Sequence, residues 1–133
     1  MLAVKQDKKE NKFQNALEYL GEYRGVKGAV IFDIEGLVVG YLSRDGFDAE
    51  IFSPLVLLMH DNINAIMKRL GEKPAQSIVV KNPDSWITVI RIGNLVLVVN
   101  ADNKTDELLK VRIGQAVDMI ETHLRDKYPL LVK

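Results

Sequence analysis

The chain has 133 residues, with 18 basic and 18 acidic side chains, two histidines and no cysteine. Zero net charge argues against a general nucleic-acid binder, which needs a basic surface to displace counterions, and the lack of cysteine excludes disulfides, thiolate nucleophiles and thiolate metal sites. The length fits one domain, 1–133, able to bury its own core, and no apolar run is long enough for a signal peptide or a bilayer span. The default address is the cytoplasm, without direct membrane insertion.

In chain order, Lys5 to Asn11 is polar and reads as a frayed end. Phe13, Ala16, Leu17 and Leu20 then recur at helical spacing, which predicts a first helix from about residue 10 to Tyr23, stopped by Gly25. Val26 to Leu42 reads as a hairpin turning at Glu35-Gly36, where glycine supplies a positive φ. Both parities of each strand are mostly apolar, so both faces of the sheet should be covered.

The segment from Asp48 to Gly71 is helical and over-apolar. Ile51, Leu55, Met59, Ile63, Ile66 and Leu70 repeat every three to four residues, a face expected to meet the sheet. Phe52, Val56, Leu57 and Leu58 fill most of the remaining arc over the first half, which predicts a second buried face against another copy or a partner. Asp48 is a plausible N-cap, with Phe47 and Phe52 placed as a hydrophobic staple. Ser53-Pro54 offers a competing start, because proline suits the first helical position and should break a helix begun at Ala49. Gly71 and Pro74 end the helix under either start.

Ala75 to Lys81 is the most polar strand, as an edge strand would be. Trp86 to Ile92 and Leu95 to Asn100 form a second hairpin across Gly93-Asn94. Leu95 to Val99 has no polar parity and reads as a central strand buried on both faces. Asp102 to Thr105 holds capping candidates for a last helix, whose inner face is Leu109, Ile113, Ala116, Val117, Ile120 and Leu124. Tyr128-Pro129 should stop it near Asp126. The order is α-β-β-α-β-β-β-α.

No catalytic or metal constellation emerges. A phosphate loop is missing, and the glycines at Gly25 and Gly28 precede a strand, whereas a dinucleotide fingerprint places them between strand and helix. His60 and His123 lack metal-ligand spacing. His60 reads as bordering an interface and His123 as a surface residue. Asp118 and Glu121 read as a solvated face, and Trp86 and Tyr41 as strand packing. No cofactor and no metal are expected, and the chain reads as a non-enzyme.

The run from Val26 to Gly40, an apolar strand, Asp33, a turn glycine and an apolar return, resembles the first hairpin of roadblock (dynein light chain) domains. Ile90 to Val99 is similar to that family's last hairpin, and Asp102 to Ile120 to its final helix. The resemblance spans about residues 10 to 126. It implies an α+β fold: a five-stranded antiparallel sheet with the long middle helix on one face and the terminal helices on the other. It further implies dimerisation through the third strands and the middle helices. The contact residues expected are Phe52, Val56, Met59, Ile63, Gln76, Ile78 and Val80. Members of the family regulate or scaffold Ras-like small GTPases, and a stand-alone chain of this size looks most like the MglB type, which acts on a GTPase of the MglA type. An adaptor in a motor or membrane-associated complex is the second reading, and a PAS-like small-molecule sensor the third. On the middle helix Leu57, Asp61, Asn64 and Lys68 form one stripe at spacings of four, three and four, the expected partner-binding surface.

Overall fold

A computed structural model describes residues 12–44, 46–104 and 107–127. The elements are α1 (Lys12–Gly21), β1 (Val26–Asp33), β2 (Val38–Ser43), α2 (Ala49–Arg69), β3 (Ser77–Lys81), β4 (Ser85–Ile92), β5 (Leu95–Asp102) and α3 (Glu107–Lys127). The expected frayed segment Lys5 to Asn11, the cap candidate Thr105 and the stop at Tyr128-Pro129 lie outside the described residues. All five strands join one antiparallel sheet in the order β2-β1-β5-β4-β3. The strand without polar parity, β5, is its centre, and the most polar strand, β3, is an edge.

Each face of the sheet has its own core. Leu17, Leu20, Ala29, Ile31, Leu97, Val99, Ile113, Ala116 and Ile120 pack α1 and α3 on one face. Val30, Phe32, Val56, Val89, Val96 and Val98 pack α2 on the other. Alternate residues of β1 and β5 therefore enter opposite cores, and neither strand can afford a polar parity.

The first turn is wider than Glu35-Gly36 alone. The Gly36 N–H donates to the Asp33 carbonyl at 2.8 Å, Asp33 N–H donates to the Leu37 carbonyl at 3.0 Å, and Gly36 has φ 92. The Asp33 carboxylate also accepts from the N–H groups of Glu35 and Leu37, so this aspartate organises the turn from its first position. The second hairpin keeps the expected two-residue loop, with Ile92 opposite Leu95 and φ 59 at Gly93.

The start of α2 is set by Asp48, whose carboxylate accepts from the N–H groups of Glu50 at 3.0 Å and Ile51 at 3.2 Å. Phe47 and Phe52 meet edge to face across this cap, 4.9 Å between centroids. Pro54 does not break the helix, contrary to expectation. It lies in the second turn on the exposed side, and the bond it forfeits, to the exposed Glu50, is a single one.

Candidate functional site

The two sides of α2 carry different side chains. A helix facing a sheet closely needs small or well-satisfied side chains where the backbones approach, and α2 supplies Ala49, Ser53, Val56 and His60, all buried. Ser53 is tolerated there because its hydroxyl donates to the Ala49 carbonyl at 2.7 Å. The heavier aliphatic row points away. Ile51, Leu55, Leu58, Ile66 and Leu70 are between 53 and 69 % exposed. The first four make one outward stripe on α2, and Leu70 at its C-cap extends it to about 30 Å.

This reverses part of the sequence expectation. Ile51, Leu55, Ile66 and Leu70, expected against the sheet, instead face solvent, while Met59 and Ile63 are half-buried. Summed hydrophobicity favours the heavier row; close approach selects the lighter one. The detectable signal is the row Ala49, Ser53, Val56, His60 at spacings of four, three and four.

His60 is buried within the chain, on the side of α2 that faces the sheet. Burial lowers its pKa, Arg91 lowers it further, and Asp61 at 4.0 Å acts weakly in the opposite sense. Asn64 lies within hydrogen-bond distance of the His60 ring, and its side-chain oxygen accepts from the Ala75 N–H at 2.8 Å. A neutral imidazole can accept from the amide, whereas a protonated ring offers only donors. The pair thereby ties α2 to the segment leading into β3.

Among the residues expected to bind a partner, Asp61 and Lys68 are exposed on α2. Leu57 and Asn64 are turned inward: Leu57 packs against the α2-side core and Asn64 is occupied as described. Of the expected dimer residues, Val56 is buried within this chain's own core, and Phe52 and Met59 pack partly against it. Ile63 and Ile78 are half-buried, while Gln76 and Val80 are exposed. The helix lies mainly over β1 and β2. The sheet beside it, at Ile78, Val80 and Ile87, therefore stays partly open.

The two sheet edges differ. Gln14 of α1 donates its side-chain N–H to the Tyr41 carbonyl at 3.1 Å, and β2 carries an irregularity against β1 at Ile31/Phe32. By contrast, β3 pairs with β4 in a continuous register from Ser77–Ile90 to Lys81–Trp86. Among the described residues no group of three or more His, Asp or Glu side chains could hold a metal ion, and no helix is long and apolar enough to cross a membrane.

A central antiparallel sheet of order β2-β1-β5-β4-β3, with one long helix on one face and the terminal helices on the other, is the roadblock fold. Within that fold the chain's structure is similar to those of MglB proteins. It is similar to Myxococcus xanthus MglB, with a TM-score of 0.81 at 19% identity over 90% of this chain and 99% of that one. The gliding protein MglB of Thermus thermophilus gives 0.76 at 19% identity over 90% and 93%, and a Roadblock/LC7 domain from Streptomyces avermitilis gives 0.74 at 19% over 84% and 96%. No protein-family model and no curated protein matches the sequence. At these identities the likeness is one of fold.

Proposed function

We propose that this chain is a non-enzymatic roadblock-type regulator that acts as a homodimer and binds a Ras-like small GTPase of the MglA type, altering its nucleotide cycle. The observation that carries the reading is the outward aliphatic stripe of α2 beside an open sheet edge. Isolated exposed aliphatics are ordinary, but four in register on one helix with a fifth at its C-cap mark an interaction surface. Its fold likeness to MglB supplies the class of partner, which is an argument by analogy.

In the proposed dimer the β3 edges of two copies meet, and the second copy's α2 covers the open face at Ile78, Val80 and Ile87. Gln76, Met59 and Ile63 border the same contact. Standard stable interfaces bury about 1,600 Å² in total, within reach of one helix and one strand from each copy. Asp61 and Lys68, beside the aliphatic stripe, give the paired helices a charged rim for the GTPase.

Light scattering and calorimetric titration against a Ras-like small GTPase of the MglA type test the two halves separately. A dimer that binds the GTPase, and a Val80→Lys variant that is monomeric, are expected. A wild-type monomer at micromolar concentration would refute the homodimer, and a dimer indifferent to the GTPase would refute the partner.

A further inference from the structure

The face opposite α2 holds a second open surface, next to the β3 edge. There α3 stops short of the edge and leaves a groove of about 490 Å³ between itself and the sheet. Its walls are Leu109 and Ile113 of α3, both buried, and its floor is Val79, Thr88 and Trp86 of β3 and β4. The pairings Val79–Thr88 and Lys81–Trp86 put these four side chains on one face of the sheet. Val79 is 52 % exposed, so the apolar floor is uncovered.

Two exposed lysines stand on the rim. The Lys81 ammonium lies 4.2 Å from the centroid of the Trp86 ring, and Lys110 projects from the first turns of α3. Among the described residues lining the groove none is acidic. Glu107 approaches Lys110 to 3.9 Å, but both side chains are exposed, and such a pair exchanges readily for another carboxylate. In a chain of zero net charge the groove is thus a local positive site over an apolar floor.

We propose that this groove is a docking site for an acidic segment of another protein, which seats an apolar side chain on Trp86, Val79 and Ile113 and pairs its carboxylates with Lys81 and Lys110. Charge complementarity selects the occupant. A basic segment meets two lysines, and an uncharged one gains no charge pairing from them. Tryptophan flanked by aliphatics is the kind of anchor on which small contacts concentrate their binding energy. The site lies across the sheet from the α2 stripe, so it does not depend on the GTPase reading.

Trp86 is the sole tryptophan of the chain, which makes its emission a direct reporter. The full chain is titrated with a short peptide in which glutamates alternate with leucine and phenylalanine, and with the same peptide carrying lysine in place of glutamate. The acidic peptide should shift the emission and saturate; the lysine peptide should not. Lys81→Glu combined with Lys110→Glu should weaken the acidic peptide at least about tenfold and admit the lysine peptide instead, a swap that loss of folding cannot mimic. Equal binding of both peptides to the wild type, or an unchanged acidic affinity in the double variant, overturns the proposal. So does a change in oligomeric state of the single Lys110→Glu variant by light scattering, because Lys110 lies on α3 away from the β3 edge and the change would make a second copy of the chain the occupant.

Discussion

The ring of Phe47 lies so close to the backbone of Gly28 that a methyl group on that glycine would stand 2.3 Å from the phenylalanine Cγ. Gly28 follows an irregularity in the pairing of β1 with β5, and Phe47 is the residue before the cap of α2. The contact therefore fixes where the chain turns into the helix. Gly28→Ala should destabilise the fold by about 1–3 kcal/mol, the range for forcing a methyl into a filled site. Urea unfolding measures it. In the double variant with Phe47→Ala the losses should fall short of additive, because the smaller side chain removes the clash.

Arg44 connects three elements that the sequence does not obviously join. Its guanidinium donates to the Val26 carbonyl at 2.8 Å and to the carbonyl of Gly21 at the end of α1. Its own N–H donates to the Lys27 carbonyl at 2.8 Å. Arg44→Met keeps the backbone bond and strips the other two. A loss of about 1–3 kcal/mol is expected on unfolding in urea, since two partly buried carbonyls lose charged donors.

The lowered pKa of His60 gives stability a definite dependence on pH. The unfolded chain takes up a proton at the ordinary value of 6.5, while the folded chain resists it to lower pH. Below 6.5 the unfolded state thus binds more protons, and stability falls as the pH drops toward the folded value; above 6.5 this contribution is complete and flat. Unfolding midpoints of the wild type should decline on acidification from about pH 7 to 5, the window where histidine titrates. His60→Gln should show a shallower decline. An identical slope in the variant would assign the acid sensitivity to other groups.

Neighbouring positions on α2 should respond in opposite ways. Leu55→Glu, on the outward stripe, should change the stability of the chain by no more than about 0.5 kcal/mol. Val56→Ala, one residue on and buried, should remove about 2 kcal/mol through lost burial and the cavity left behind. Thermal unfolding of the two variants side by side tests the orientation of the helix. The same Leu55→Glu variant should lose binding to any partner that uses the stripe.

This contrast also marks what the sequence can reveal. β5 is legible as the central strand because Leu95 to Val99 admits no polar parity, and the α2 cap because Asp48 stands between two phenylalanines. The face of α2 is not legible from hydrophobicity. Two apolar rows overlap on it, and the one that meets the sheet contains Ser53 and His60, which read as polar until their internal partners, the Ala49 carbonyl and Asn64, are known. Leu57 and Asn64 fall on a binding stripe by spacing alone, which fixes relative direction on a helix and leaves its rotation about the axis undetermined. Arg44 and Gln14 leave no signal, since both act on backbone carbonyls more than 15 residues distant in sequence.

The unequal treatment of the two sheet edges sets a limit on growth. A sheet with two receptive edges could add copies head to tail, β2 of one to β3 of the next, without end. Here Gln14 occupies the Tyr41 carbonyl and an irregular register bends the β2 margin, so that side is a poor template. A β3 edge can still pair with its own kind about a twofold axis, and such a contact consumes both receptive margins at once. In the proposed dimer strand pairing would then end at two copies, with Gln14 and the irregular β2 register together separating a closed assembly from a fibre.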